Sequence, residues 1–284
     1  MPNYGYHLAR AHGAAVRRMY ATALPAIVRR LIAQPRTLPF EVYAYSSESD
    51  LPEQVASIRS FLRFAGRPLR FVVVSDGTHT PRSISLLEAI DRSVEVRQAG
   101  DEVLDGSSAR LHTYLTVHPT GKQLALIMSL PAEAPALYID SDVLFFAGAK
   151  DLSDIERPAN CSAYYLRDCR LSADERLFRN DDEKLSPVNT GVLFLFEKLD
   201  WTEGLERFDR LDGPPDFFTN QTMTHLTMHA AGASPLDPSN YVLQLDDQFV
   251  YRDAYADQRI VLRHYVRPVR HKFWTTLANS KWRA

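Results

Sequence analysis

Two carboxylates one residue apart, Asp140 and Asp142, interrupt an apolar, β-prone stretch: Ala136-Leu137-Tyr138-Ile139-Asp140-Ser141-Asp142-Val143-Leu144-Phe145-Phe146. Runs this apolar form strands buried on both faces of an α/β sheet. An unpaired carboxylate is costly to bury, so a pair at the end of such a strand needs a reason. The economical one is a divalent cation, which takes hard oxygen ligands at a sheet's carboxyl edge, where open α/β folds bind their ligands. The i, i+2 spacing puts both side chains on one face, and a turn at the strand end converges them on one ion. The plainer alternative is that the acids begin a turn or cap the next element. Apolar residues on both sides of the pair favour the cation.

The elements around this pair alternate. Glu41–Ser46 reads as a strand, and Ser49-Asp50-Leu51-Pro52-Glu53 opens a helix running to Gly66. Arg70–Ser75 is a second strand, closed by Asp76-Gly77; a helix follows from Pro81 to Ile90, then a third strand, Val94–Gln98. Asp105–Leu130 reads as helical, interrupted by Pro119-Thr120-Gly121. Strands alternating with helices of this length predict a parallel sheet of βαβ units. Beyond Phe146 come a strand at Ser162–Leu166, a polar stretch without periodicity at Asp168–Pro187, and a buried strand at Val188–Phe196. A long aperiodic stretch of that kind is expected to act as a mobile lid. A helix at Thr219–His229, short strands at Tyr241–Leu245 and Ile260–His264, and an irregular basic, aromatic tail complete the chain.

Residues 1–40 form a separate helical arm in this reading, with Pro25 ending or kinking its first helix. Arg17, Arg18, Arg29 and Arg30 lie on or beside it. A helix packed on the domain with a solvated basic face is favoured over peripheral contact with a membrane.

Composition narrows the function classes. The chain has 284 residues, 45% hydrophobic and 24% charged, enough to bury a full core. A formal net charge of −2 provides no bulk attraction for nucleic acid or an anionic membrane. Cys161 and Cys169, the only cysteines, lack metal-site spacing and point to a reducing compartment. With no long apolar run and no signal-peptide core, the expectation is a soluble cytoplasmic protein.

Lys122, Asp140-Ser141-Asp142, Asn189-Thr190-Gly191 and His264 with Lys272 and Trp274 fall in an order that resembles the GT-A nucleotide-sugar glycosyltransferases, especially the retaining family-eight enzymes. The resemblance covers roughly residues 41–275. It implies a GT-A, Rossmann-like α/β domain over 41–284, with a mixed, mainly parallel sheet flanked by helices. Residues 41–146 would bind the nucleotide sugar, and 147–284 would face the acceptor. It implies a metal held by Asp140, Asp142 and His264, with Mn²⁺ favoured over Mg²⁺ by the nitrogen ligand. Donor contacts would come from Tyr45, Ser46, Asp76, Lys122, Asp140, Ser141, Asn189, Gly191 and Lys272, with Tyr45 stacking on uracil. Gly191 would let backbone approach a sugar. Arg267 and Arg270 would join Lys272 in neutralising the diphosphate, and Asn220, Gln221 and Asp140 would be the catalytic set.

The chain departs from the family pattern in three places. Asn220 stands where the family carries an acid before Gln221, Thr190 replaces Ala, and Lys272 follows His264 by eight residues rather than six. His271 is therefore a second possible nitrogen ligand. His264, directed by a strand, is preferred. If the reaction inverts configuration a base is needed, and Asp246, Asp247 and His225 are the options. The expected activity is metal-dependent transfer of a sugar, a hexose first, from a UDP-type donor to a hydroxyl of a glycan or other acceptor in surface-glycan synthesis. The alternatives are a non-catalytic sugar- or nucleotide-binding protein, and a haloacid dehalogenase-type phosphatase with Asp140 as nucleophile and Asp246-Asp247 as its second acidic pair.

Overall fold

The computed structural model of the protein describes residues 3–33, 36–99, 108–157, 159 and 161–279. The chain opens on helix α1 (Tyr4–Ile27), capped by the Asn3 side chain. Pro25 lies within its last turn, and the helix ends two residues later instead of stopping at the proline. The helix is docked on the body of the protein. Gly13 meets the backbone of His271 so closely that a Cβ there would sit 2.5 Å from the carbonyl oxygen. The Arg17 guanidinium forks onto Glu53 at 2.6 and 2.9 Å, so this arginine, 40% exposed, is paired with the body of the protein.

Strand β1 (Glu41–Ser46), helix α2 (Leu51–Phe64), strand β2 (Phe71–Ser75), helix α3 (Pro81–Glu88) and strand β3 (Val94–Gln98) follow the expected alternation. Two helices come next, α4 (Ala109–Val117) and α5 (Pro119–Ser129). The start of the helix expected from Asp105 lies outside the described residues. The break falls at His118, and Pro119-Thr120-Gly121 begin α5 instead of interrupting a helix. The residue before a proline is driven to extended backbone, and proline suits a first helical turn. Gly121 is needed because the α4 backbone at Tyr114 fills the place its side chain would take.

The apolar stretch around the acid pair is two strands in two sheets. Strand β4 (Ala136–Asp140) belongs to the large sheet; Ser141 and Asp142 make a turn, and β5 (Val143–Phe145) enters a small one. Strands β6 (Ala163–Arg167) and β7 (Val188–Leu195), helices α6 (Thr202–Asp209) and α7 (Thr219–Ala230), and strands β8 (Ser234–Pro235), β9 (Tyr241–Val242) and β10 (Leu262–His264) follow. The large sheet has the order β3-β2-β1-β4-β7-β6-β8, and the small one β5-β10-β9. β1–β4 are mutually parallel, while β7 runs antiparallel between β4 and β6. The fold is therefore a mixed, mainly parallel sheet flanked by helices.

Two segments read as aperiodic carry structure of their own, and for the tail this is a correction. Asp168–Pro187 is folded, with short 3-10 turns at Glu175–Leu177 and Asp182–Lys184. Arg176 clamps Asp174, and Arg207 from α6 forks onto Glu183 at 2.6 and 2.9 Å. The tail is helix α8 (Arg270–Asn279), packed on α1 through Trp274 against Tyr20. Neither segment is carried by hydrophobic periodicity, which is why the pattern alone missed them.

Candidate functional site

Strand register assembles the site. Tyr45 on β1 lies opposite Asp140 on β4, and Ser46 opposite Ser75 on β2, so these side chains gather at the carboxyl edge of the parallel strands. The turn at Ser141-Asp142 then reverses the chain into β5, whose antiparallel pairing sets Val143 opposite His264 on β10. The Tyr265 N–H donates to the Asp142 carbonyl at 3.0 Å and closes this corner. Ligand atoms of Asp140, Asp142 and His264 thus fall within 4.8 Å of one another, the one such group among the described residues. His271 is not part of it; its ring packs against Tyr6.

The tautomer of His264 follows from its neighbours. Gly191 N–H donates to Asn189 Oδ1 at 2.9 Å, which fixes the amide's orientation. His264 Nδ1 is 3.0 Å from the same oxygen and must be the donor, because that oxygen only accepts. Nε2 is left facing Asp142 Oδ1 at 3.0 Å and Asp140 Oδ2 at 3.5 Å. Such an imidazole, one N–H held and the other nitrogen aimed at two carboxylates, fits a metal ligand. It also fits an imidazolium paired with Asp142. The space a side chain at Gly191 would take is filled by the His264 ring, so the glycine admits the imidazole.

Burial shapes the charges. It pushes the Asp140 carboxyl above its ordinary value, reinforced by Asp142 and opposed by His264. For Asp142 burial works in the same direction, but the charge and hydrogen bond of His264, together with Arg270, hold it below the ordinary value. Burial lowers His264, and its attraction to Asp142 outweighs that and raises it. Opposed shifts of neighbouring acids are the kind of perturbation that clusters at functional sites.

Two cations reach this edge. Arg270, in the first turn of α8 and six residues after His264, donates to Asp50 at 2.8 Å and brings its Nε to 3.5 Å from Asp142 Oδ2. Lys122 on α5 donates to the Asp76 carbonyl at 3.2 Å, at the β2 end. Lys272 does not face the site: it is fully buried and its Nζ donates to the carbonyls of Val250 and Arg252 at 2.9 and 2.6 Å. Helical periodicity explains this, since residues two apart on α8 point to different sides. Tyr45 Oη and Ser46 Oγ are buried without a hydrogen-bond partner. Orphaned polar atoms at such an edge are what a ligand's polar groups would satisfy.

Helix α7 lends its first turn. Asn220 Nδ2 donates to Gln123 Oε1 at 2.9 Å, and Gln221 Nε2 donates to Asp168 Oδ2 at 3.2 Å and the Ser172 carbonyl at 2.8 Å. Gln123, Tyr138 and Asp168 are site residues that sequence reasoning missed. Tyr138 shares the β4 face of Asp140 two residues on, and Asp168 follows β6 at the same sheet edge, both visible signals in retrospect. Gln123 had none beyond its neighbour Lys122.

Two of the bases named for an inverting reaction are held by other groups, and Asp246 accepts from the Tyr255 hydroxyl at 2.6 Å. His225 accepts from Val188 N–H and faces the Glu183 carbonyl, and Asp247 is locked to Arg263 at 2.9 and 3.1 Å. Asp247, one half of the second acidic pair a phosphatase site would use, is thus engaged by a buried cation.

No protein-family model matches the sequence, and no curated protein matches it significantly. Solved structures match the fold. The galactosyltransferase LgtC, in complex with donor and acceptor sugar analogues, superposes with a TM-score of 0.55 at 13% identity, over 86% of this chain and 99% of that one. Apo GlyE from Streptococcus pneumoniae TIGR4 gives 0.54 at 13% identity, over 87% and 62%. Mouse xyloside xylosyltransferase 1 gives 0.51 at 13% identity, over 83% and 99%.

Proposed function

We propose that this protein, which has the GT-A fold of those glycosyltransferases, moves a sugar from a nucleotide diphosphate donor to an acceptor hydroxyl. UDP-hexoses are the first donors to test, and surface-glycan synthesis the setting. The observation that carries the proposal is the convergence of Asp140, Asp142 and His264 at the carboxyl edge of the parallel strands. Two carboxylates and an imidazole with a directed Nε2 suit Mn²⁺, with Mg²⁺ second. A divalent cation there would act as a Lewis acid on the diphosphate as it gains charge.

The chain's own residues do the rest. Arg270 offers a planar fork to the leaving diphosphate, a geometry that suits phosphate oxygens. Tyr45, Ser46, Asp76 and Lys122 form the wall where a nucleoside would lie. Asn220 and Gln221, held by Gln123 and Asp168, orient hydroxyls of the sugar. Asn220 is neutral and cannot serve as a nucleophile. Among the described residues no helix is long and apolar enough to cross a membrane, and we place the activity in the cytoplasm.

A screen of nucleotide sugars for Mn²⁺-dependent hydrolysis tests the reading. Release of nucleoside diphosphate from one donor, lost in Asp142→Asn with its circular dichroism unchanged, is the expected result. Undiminished metal-dependent nucleotide binding by Asp142→Asn would sink the metal assignment. Donor binding without turnover on any acceptor would leave a binding protein.

A further inference from the structure

Gln123 belongs to none of the motifs, yet it touches the acid at the centre of the site. Its Nε2 donates to Asp140 Oδ1 at 3.0 Å and to the Tyr138 hydroxyl at 2.8 Å, and that hydroxyl donates to the same Oδ1 at 2.9 Å. Both donors fall on one oxygen, so Oδ2 is the one turned toward His264. The amide orientations are set in sequence from the α7 backbone. Gln221 N–H donates to Asn220 Oδ1 at 2.8 Å, leaving Asn220 Nδ2 to donate to Gln123 Oε1 at 2.9 Å, which in turn presents Gln123 Nε2 to Asp140.

We propose that Gln123 and Asn220 act as a neutral amide pair that positions Asp140 for the cation. This rests on the reading of Asp140 as a metal ligand. The pair also accounts for the missing acid at the opening of α7. A carboxylate at position 220 would only accept, and would face Gln123 Oε1 with another acceptor. Gln123 would have to turn over, and its oxygen would then confront Asp140 and the Tyr138 hydroxyl. An acid at 220 requires a side chain at 123 that donates in every direction, which arginine does. Gln123 with Asn220 satisfies the same contacts with no net charge. Gln123 is a positioning residue in this scheme, acting through Asp140.

The test is a double-mutant cycle read by the binding of Mn²⁺ alone to the full chain, with free Mn²⁺ counted by electron paramagnetic resonance. Asn220→Asp is expected to weaken binding about fivefold or more, and Gln123→Arg to weaken it comparably by adding a cation beside Asp140; the double variant should return to within about twofold of the unaltered protein. Gln123→Met, similar in shape but without the donors, should weaken binding without the fold being lost by circular dichroism. Rescue in the double variant is what a purely structural role would not produce. Asn220→Asp binding Mn²⁺ normally, or the two single effects simply multiplying, overturns the pair while leaving the transfer reading intact. No Mn²⁺ uptake by the unaltered protein overturns both. The expected cycle in a protein that turns over no nucleotide sugar leaves the pair standing and removes the transfer reading.

Discussion

Strands β1–β4 and the segment from Ser234 to Asn279 both deliver ligands to one site, yet they are built on different principles. In the first, backbone pairing of parallel strands carries the geometry, and the interior is apolar: Val42, Ala44, Val72, Val73 and Ile139 are fully buried. In the second, regular strand amounts to Ser234–Pro235, Tyr241–Val242 and Leu262–His264. Its framework is a buried polar cluster. Arg263, fully buried, pairs with Asp247 and Asp253 and lies over the rings of Tyr255 and Tyr265. Tyr265 and Thr276 hydroxyls both donate to Asp253, at 2.8 and 2.7 Å. A ligand on a strand is aimed by the sheet, whereas a ligand on irregular chain must be aimed by side chains. His264 draws on both: it ends β10, paired with β5, and its neighbour Arg263 is held by this cluster.

That contrast is most directly broken at Arg263. Arg263→Leu leaves Asp253 without its cation and Asp247 with Lys272 alone, at 3.4 Å, and unfolding in urea should show a loss of about 3–5 kcal/mol. A change under 1 kcal/mol, in the range of an exposed pair, would mean that the segment is held by its apolar contacts instead.

Gly191→Ala, on β7 beside β4, tests how the second region's ligand is seated, because the new methyl group would occupy the place of the His264 ring. Overpacking of this kind costs about 1–3 kcal/mol. The imidazole should also be displaced, so Mn²⁺ binding should fall out of proportion to the stability change. A variant with normal metal binding would show that the ring has room to move.

His264→Ala sharpens the comparison at the ligand itself. The Mn²⁺ concentration for half-maximal donor hydrolysis should rise at least about tenfold, equivalent to about 1.4 kcal/mol, with His271→Ala much milder. A larger shift in His271→Ala, or none in either, would contradict the placement of the nitrogen ligand.

The smallest effect is expected at pH extremes. The hydrogen bond from Arg207 holds the Glu183 carboxyl down at about 2 against an ordinary 4.5. A depressed carboxylate contributes stability that is complete above its unfolded value and lost as pH falls through its folded one. The unaltered protein should therefore lose stability between about pH 4.5 and pH 2, and Glu183→Gln should flatten part of that slope. An identical pH profile for both proteins would remove Glu183 from the account of how the segment before β7 is held.

Legibility followed the same division. β1 and β3 were readable to the residue because short β-prone runs bounded by turn residues mark strands. Asp140 and Asp142 were readable because carboxylates are conspicuous inside an apolar run. Lys272 was misplaced because its chemistry is right for a phosphate while its direction on α8 is wrong. The folding of Asp168–Pro187 was missed because Asp174, Arg176, Glu183 and Arg207 make their bonds between side chains, without a period to betray them.

The sequence by itself determined the alternation of strands and helices, the turn bearing the acid pair, and the histidine ending a late strand. These are local facts, written in side-chain periodicity and in the cost of burying charge. Only the tertiary structure decided that Gly191 makes room for an imidazole, that Arg270 and not Lys272 reaches Asp142, and that Gln123 links Asn220 to Asp140. Each depends on which face of one element meets which face of another across roughly 70 to 130 positions of chain. Such meetings are set by packing and by hydrogen-bond direction, and no local pattern records them.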